Sequence, residues 1–330
     1  MTSDLRLGVL GAARIAPLAV VKPARVVPGV AVTAVAARDP SRAQAFASRH
    51  EVRKVHTSYD DLVADPEIDA VYIPLPNGLH AEWTLKAIAA GKHVLCEKPF
   101  TANAAEAEHV ADVAGSSGVV VMEAFHYRYH ELAKRMQAIT HDGTIGDVQS
   151  VRTWLCFPLL KFSDIRYNYE LAGGATMDCC YPVHAMRLLG PGEPEVVSAS
   201  AKVLGRSDGT IDRAMTTRFR FAGGAVGHSE ASMWSHRALR VAAHVDGTKG
   251  RMKVLNFVAP QIYNSLKVTV NGKTTRERVR GDASYVAQLK AFVAAVRDGA
   301  PFPTTPRDAV VTMRLLDDIY RAAGLPLRGR

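Results

Sequence analysis

The sequence predicts an α/β first half, a doubly wound parallel sheet over residues 1–125, and an α+β second half over residues 126–330 with a large, mostly antiparallel open sheet. Three observations carry this expectation. Short apolar runs alternate with helix-like stretches through the first half. A small-residue turn, Gly11-Ala12-Ala13-Arg14-Ile15-Ala16, follows the first apolar run directly. Near Asp147 the pattern becomes β-rich. Alternation of the first kind covers both faces of a parallel sheet with its own crossover helices, whereas successive strands pair antiparallel.

Residues 5–10 read as a buried strand that enters the Gly11 turn. A dinucleotide fingerprint asks for Gly at the tight turn, a small residue where backbone meets the pyrophosphate, and another where helix packs on sheet. Gly11, Ala13 and Ala16 stand at those places, with Arg14 and Ile15 on the same turn, so the first half is read as a Rossmann domain. The second strand, 30–37, ends at Arg38-Asp39-Pro40-Ser41-Arg42. An acidic side chain there binds the ribose 2′-hydroxyl of NAD, and a nearby Arg accommodates the 2′-phosphate of NADP. Arg38 and Arg42 on either side of Asp39 favour NADP over NAD. Asp39 also suits the cap of a helix opening at Pro40, with both arginines solvated.

The alternation continues with a helix at 41–50, a short strand near Val55, a helix at 58–64 and a strand at 69–73. The loop Pro74-Leu75-Pro76-Asn77-Gly78-Leu79-His80 leads into a helix, 80–90, that stops at Gly91. Strand 93–96 then delivers Glu97-Lys98-Pro99-Phe100; helix 102–114 and strand 119–122 follow, before Glu123-Ala124-Phe125-His126-Tyr127. A lysine in a loop is ordinarily a solvated charge. The loops at Gly11, Arg38, Asn77, Lys98 and His126 all leave carboxyl ends of predicted parallel strands, however, and there ligands bind in such sheets.

The phrase Pro76-Asn77-Gly78-Leu79-His80, followed by Ala89-Ala90-Gly91-Lys92-His93-Val94-Leu95-Cys96-Glu97-Lys98-Pro99, resembles the Gfo/Idh/MocA oxidoreductases, and the resemblance covers nearly the whole chain. Ala36-Ala37-Arg38-Asp39 most resembles the NADP-using dihydrodiol and xylose dehydrogenase branch. The resemblance implies that Lys98 lies beside the nicotinamide and the reacting carbinol, that the Lys98-Pro99 bond is often cis, and that Glu97 orients the loop or the cofactor amide. Cofactor contacts are then expected from Gly11, Ala13, Arg14, Ile15, Arg38, Arg42, Leu75, Asn77, His80, Glu97, Lys98 and Arg166. A lysine there holds or polarises the substrate oxygen, and partial burial beside another cation would lower its pKa toward the working range.

In the second half, strands are expected at 148–157, 196–204, 214–221, 224–233, 239–246, 250–254 and 266–270, with a helix, 175–189, after the first. That helix would carry Asp178, Tyr181 and His184 at i, i+3 and i+6. The family pattern is Gly-Gly-Ala, two residues, Asp, then Tyr or His four residues on, then often His or Asp three beyond. Here Gly173-Gly174-Ala175 leads to Asp178, but Tyr181 comes only three later. On a continuous helix a one-residue shift rotates a side chain by about 100°, which sets Asp178 apart from the pattern. Tyr181 is the first candidate for general acid/base and His184 the second. Read without the family, His184 is a core histidine and Tyr181 a packing residue. Asp164-Ile165-Arg166-Tyr167 resembles the family's loop over the nicotinamide ribose or the substrate, where Arg166 would clamp a phosphate or a hydroxyl-rich ligand. His126, Tyr127 and Arg128 are candidates to line the same pocket. Helices at 285–298 and 307–323 bracket Gly299-Ala300-Pro301-Phe302-Pro303, and the last is expected to pack back on the first domain.

A chain of 330 residues that is 48% hydrophobic suits a two-domain globular enzyme. The first strand begins at Leu5, leaving no room for a signal peptide, and no stretch reads as transmembrane. Cys96, Cys156, Cys179 and Cys180 show neither metal-ligand nor secretory spacing, so the expectation is a cytoplasmic protein without a metal or a structural disulfide. The net charge of +9 is uneven: residues 1–125 hold 12 basic and 14 acidic side chains, and residues 126–330 hold 29 and 18. Arg276, Arg278 and Arg280 alternate as one face of a strand would. Without interleaved aromatics this reads as a solvated edge rather than a nucleic-acid surface, and a basic field also attracts an anionic cofactor. The function expected is NAD(P)-dependent hydride transfer at a secondary alcohol or carbonyl of a sugar, polyol or cyclic diol. Two rivals stand beside it: a glycosidase of the same family with no net redox, and a non-enzymatic cofactor sensor. A homodimer or homotetramer is implied by resemblance.

Overall fold

The computed structural model describes residues 4–205, 209–234 and 239–329. Two compact units are present, Met1–His126 with Tyr285–Val310, and Tyr127–Ser284 with Val311–Arg330.

In the first unit β1 (Leu5–Leu10) is followed by a π-helical turn, Pro17–Val21, that runs into α1 (Lys22–Ala24). The π geometry has a local reason: Pro23 has no N–H to close an α-turn on the carbonyl of Ala19. Then come β2 (Val30–Ala36), α2 (Pro40–His50), β3 (Lys54–His56), α3 (Tyr59–Ala64), β4 (Ala70–Ile73), α4 (His80–Ala89), β5 (His93–Cys96), α5 (Ala104–Ser117) and β6 (Val121–Glu123). Among the described residues the sheet has six strands, all parallel, in the order β3-β2-β1-β4-β5-β6. This is the expected doubly wound sheet, and β4 and most of β5 are buried on both faces. Helix α5 opens at Ala104 rather than residue 102, because Asn103 caps it by accepting a hydrogen bond from the Glu106 N–H at 2.9 Å. Residues 285–310 belong to this unit and are tied to it by Arg297 donating to the Gly29 carbonyl at 2.8 Å and Thr304 donating to the Glu123 carbonyl at 2.7 Å.

The second unit begins with α6 (Glu131–His141) and β7 (Val148–Cys156). Next are α7 (Ala175–Asp178), α8 (Tyr181–Leu189), β8 (Glu195–Val203), β9 (Asp212–Arg220), β10 (Val226–Ser232), β11 (Arg240–Gly247), β12 (Gly250–Leu255), β13 (Ser265–Val270) and β14 (Lys273–Glu277). The chain closes with α9 (Ser284–Asp298) and α10 (Pro306–Ala322), within each of which the unit boundary falls. The sheet order is β14-β13-β12-β11-β7-β10-β9-β8, eight strands among the described residues, antiparallel except for β7 against β10. Helix α8 lies against β7, where the Thr153 hydroxyl donates to the Pro182 carbonyl at 2.9 Å.

Two sequence expectations are corrected here. The single helix expected over 175–189 is two, α7 and α8, separated at Cys179 (φ −102°, ψ 37°) and Cys180. Pro182 explains the break, since its ring would clash with the carbonyl of Asp178 and it has no N–H to offer that carbonyl. The shared helical frame used to compare Asp178 with Tyr181 and His184 therefore does not exist. The arginine stripe is also shorter than expected: β14 ends at Glu277, with Arg276 inside it and Arg278 and Arg280 beyond. Past Leu266–Glu277 the ladder is replaced by a side chain, for Asn264 accepts from the Val279 N–H at 3.0 Å and donates to the Val279 carbonyl at 2.8 Å.

All four cysteines are free and buried. Among the described residues no helix is long and apolar enough to cross a membrane, and no group of three or more His, Cys, Asp or Glu is arranged for a metal.

Candidate active site

The Gly11 turn lies at the reversal of strand order between β1 and β4, the place where dinucleotides cross such sheets. Gly11 has φ +111°, a conformation that favours glycine, and a Cβ on it would come within 3.2 Å of Leu75 from the loop after β4. The Gly11 N–H donates to the Ala36 carbonyl at 2.7 Å and the Ala13 N–H to the Gly11 carbonyl at 2.8 Å, which draws the ends of β1 and β2 together. Ala16 is fully buried under the turn, Ala13 and Ile15 are half-buried, and Arg14 is exposed. The loop after β2 joins this turn through Arg42, which donates to the Ala12 carbonyl at 3.2 Å. Asp39 is committed to α2: its Oδ1 accepts from the Ser41 hydroxyl at 2.7 Å and the Ser41 N–H at 2.9 Å, and these bonds hold its carboxyl below the usual range. The side chains of Arg38 and Arg42, on either side of it, are exposed.

Lys98 follows β5, and its bond to Pro99 is cis. The Glu97 carboxylate beside it is fixed by the Tyr72 hydroxyl, which donates to Oε1 at 2.7 Å, and by the Lys98 N–H, which donates to Oε2 at 3.3 Å. Burial raises the Glu97 pKa, with the Lys98 charge and the Tyr72 bond opposing. Asn77 opens a 3₁₀ turn in the loop after β4 and is half-buried. His80, expected among cofactor contacts, is fully buried. Its Nδ1 lies 2.7 Å from the Pro99 carbonyl oxygen and its Nε2 2.8 Å from that of Leu75, so it pins the loops after β4 and β5 to one another. Burial and then the Lys98 charge lower its pKa, to about 4. A neutral imidazole has one N–H, so one carbonyl accepts at a time. His126, also buried, stacks on Tyr285 with ring centroids 3.9 Å apart. Burial, then the Lys98 charge, lowers its pKa to about 3, while burial raises that of Tyr285.

Two histidines held neutral make stability depend on pH. Both folded pKa values lie below the ordinary 6.5, so the unfolded chain binds more protons as pH falls, and stability is lost from about pH 6.5 downward. Each is expected to cost about 2 kcal/mol at pH 5 relative to pH 8. Urea unfolding of the native chain and of His80→Gln at the two pH values isolates the His80 share, and the variant should be flatter by one proton.

In the second unit Tyr181 is the first residue of α8 and His184 sits one turn on, 6% and 3% exposed. Tyr127 joins them: its hydroxyl is 2.6 Å from His184 Nδ1, and its ring centroid is 5.7 Å from that of Tyr181. Arg166 lies between two carboxylates, with Nη1 3.0 Å from Asp164 Oδ1 and Nε 3.3 Å from Asp178 Oδ1. One guanidinium against two carboxylates is a poor phosphate clamp and a good partner for hydroxyls, which both donate and accept. Asp178 thus faces Arg166 from α7 while Tyr181 opens α8. Arg128 is engaged by Gln137 of α6 at 3.2 Å.

Three residues of these clusters escaped the sequence reading or were undervalued in it. Tyr72 stands in an apolar strand and reads as core, although a buried tyrosine hydroxyl needs a partner. Tyr285 lies far along the chain from His126, and nothing local marks it. Tyr127 reads as pocket lining, and its bond to His184 carries no sequence signal.

Comparison with known proteins matches residues 5–125 to the oxidoreductase family with an NAD-binding Rossmann fold and residues 133–253 to the Gfo/Idh/MocA C-terminal domain. The chain is 36% identical over 323 residues to a D-xylose 1-dehydrogenase (NADP(+)) of Haloferax volcanii, covering 97% of each. It is 33% identical over 244 residues to a trans-1,2-dihydrobenzene-1,2-diol dehydrogenase of Mus musculus, covering 73% of this chain and 70% of that one. The crystal structure of a 3-ketoreductase from Actinomadura kijaniata, in complex with NADP and TDP-benzene, matches with a TM-score of 0.90 at 27% identity over 99% of each chain.

Proposed function

Since the chain belongs to the Gfo/Idh/MocA oxidoreductase family, we propose that it reduces a carbonyl, or oxidises the matching secondary hydroxyl, of a sugar or related polyol or cyclic diol, with Lys98 and Tyr181 handling the oxygen. It is a hydride-transfer oxidoreductase and its cofactor is NADP. The observation that carries the reading is the Lys98 turn: an ammonium after β5, its neighbour Glu97 fixed by Tyr72, and its backbone pinned by His80 to the loop that meets Gly11.

The bound cofactor supplies or accepts the hydride at its nicotinamide ring. Gly11, Ala13, Arg14 and Ile15 would hold its pyrophosphate, Arg38 and Arg42 its 2′-phosphate, and Leu75, Asn77 and Glu97 its nicotinamide half, with His80 acting through the loops it joins. In the reducing direction the Lys98 ammonium would polarise the substrate carbonyl and hold its oxygen. The Tyr181 hydroxyl gives its proton to the oxygen as the C=O bond becomes C–O–H, and the opposite direction reverses each transfer. His184 supports Tyr181 through Tyr127. Arg166, tempered by Asp164 and Asp178, takes a neighbouring hydroxyl, and His126, neutral beside Lys98, shapes the pocket without adding charge.

A panel of sugars, inositols and diols with NADP and NAD in parallel, read as reduced nicotinamide, tests the reading. Absence of net redox with every alcohol, together with cleavage of a glycoside, would overturn it. Arg38→Ala is expected to raise KM for NADP about 10- to 100-fold, about 1.4–2.7 kcal/mol, with little change for NAD. The first unit is assigned to the cofactor, and the second to substrate and to subunit contacts in a homodimer or homotetramer. Exposed apolar side chains on its strands, among them Val197 and Val226, support the latter. Four buried free thiols suit a cytoplasmic setting.

A further inference from the structure

We propose that Arg328, in the tail after α10, is a positioning residue that sets the segment 166–178 and hence the placement of Arg166 and Asp178; this rests on the reading that Arg166 meets substrate. Its guanidinium is fully buried with Asp212 of β9, at 3.0 Å between Nη2 and Oδ1. Four acceptors surround it: besides Asp212, the Gly173 carbonyl takes Nε–H at 2.7 Å, the Thr210 carbonyl takes Nη2–H at 2.9 Å, and the Pro326 carbonyl takes Nη1–H at 2.8 Å. The guanidinium carbon lies 4.2 Å from the ring centre of Tyr320, whose hydroxyl donates to Asp212 Oδ1 at 3.1 Å.

Asp212 completes the grip from the other side. Its Oδ2 accepts from both the N–H and the hydroxyl of Thr176, each at 2.7 Å, and so holds the first turn of α7. Gly174, at φ +133°, has no room for a Cβ, which would collide with the Asp212 carboxylate. Arg328 and Asp212 therefore seize the Gly173-Gly174 hinge, and the hinge connects the residues in question. The Gly174 N–H donates to the Arg166 carbonyl at 2.8 Å, and the Asp178 N–H donates to the Gly174 carbonyl at 3.0 Å. Tyr169, within the same segment, donates to the Leu327 carbonyl at 2.7 Å and fixes the tail in turn.

Burying an ion pair this deeply is a poor way to gain stability, because desolvation offsets the attraction and apolar residues often serve as well. A planar fork with acceptors in four directions specifies one position of the Gly173 carbonyl, which an apolar side chain cannot do. A lysine keeps the charge but not the fork. Loosening the hinge displaces Arg166 and Asp178.

The test compares Arg328→Lys and Thr176→Val with the native chain, using its best substrate and NADP well below each melting temperature. Hydrogen exchange is followed over residues 164–178. For Arg328→Lys the expected result is a KM for substrate raised about tenfold, a smaller fall in kcat, an unchanged KM for NADP, and faster exchange in that segment. Thr176→Val removes one donor to Asp212 and should shift KM about threefold in the same direction, which keeps the test decisive if Arg328→Lys does not fold. A lower melting temperature with native KM and kcat, whether or not exchange quickens, overturns the positioning role. Arg166→Ala with native KM overturns the substrate contact on which the proposal rests, and it is read independently of exchange.

Discussion

Replacing Lys98 with alanine is expected to lower kcat about 10³-fold while NADP binding stays within about twofold of the native value. The magnitude follows from the role assigned: a cation held against the reacting oxygen stabilises charge that grows in the transition state and is weaker before it, so its loss falls on kcat more than on KM. The surroundings favour a fixed ammonium. Tyr72 and the Lys98 N–H fix the neighbouring carboxylate of Glu97, and His80 holds the Pro99 carbonyl one residue further on. His126 and His80 are both neutral near Lys98, so neither adds a positive charge that would compete for the substrate oxygen. Arginine is not expected to rescue the variant, since its planar fork does not replace a compact ammonium. Steady-state kinetics with cofactor titration by fluorescence separates chemistry from binding. Near-native turnover in Lys98→Ala would remove Lys98 from the chemistry.

What the sequence made legible follows how locally each feature is determined. The parallel sheet and the Gly11 turn were readable because apolar runs, helix caps and a glycine with φ +111° leave marks within a few residues. The place of Lys98 at the end of β5 was readable because its neighbours on both sides are distinctive. The site's supporting contacts were not: Tyr72 meets Glu97 25 positions away, Tyr127 meets His184 57 away, and Arg328 meets Asp212 116 away. Period and propensity carry no trace of such pairings. His80 illustrates the limit, for a histidine beside a cofactor loop reads as a ligand, and burial between two carbonyls makes it a fastener. The break between α7 and α8 does have a local mark, Pro182, whose ring and missing N–H bar a continuous helix back to Asp178.

That break bears on the proton donor. Because α8 starts at Tyr181, the shortened interval belongs to the connection between two helices and no longer sets Asp178 apart, while Tyr181 stands at the head of its own helix. His184 has Nδ1 engaged by the Tyr127 hydroxyl at 2.6 Å, and Tyr127 packs 5.7 Å from Tyr181, so the histidine stands behind the tyrosine through Tyr127. Tyr181→Phe, which removes one oxygen and keeps the ring, is expected to reduce kcat by about 10²–10³, and His184→Asn by about tenfold. The reverse order, a mild Tyr181→Phe and a severe His184→Asn, would give the proton to the histidine. Combining Tyr181→Phe with Lys98→Ala adds a separate check. Groups that act on one oxygen in one transition state fail as a unit, so the double variant should be scarcely slower than Lys98→Ala alone. Losses that multiply would mean that the two residues serve different steps.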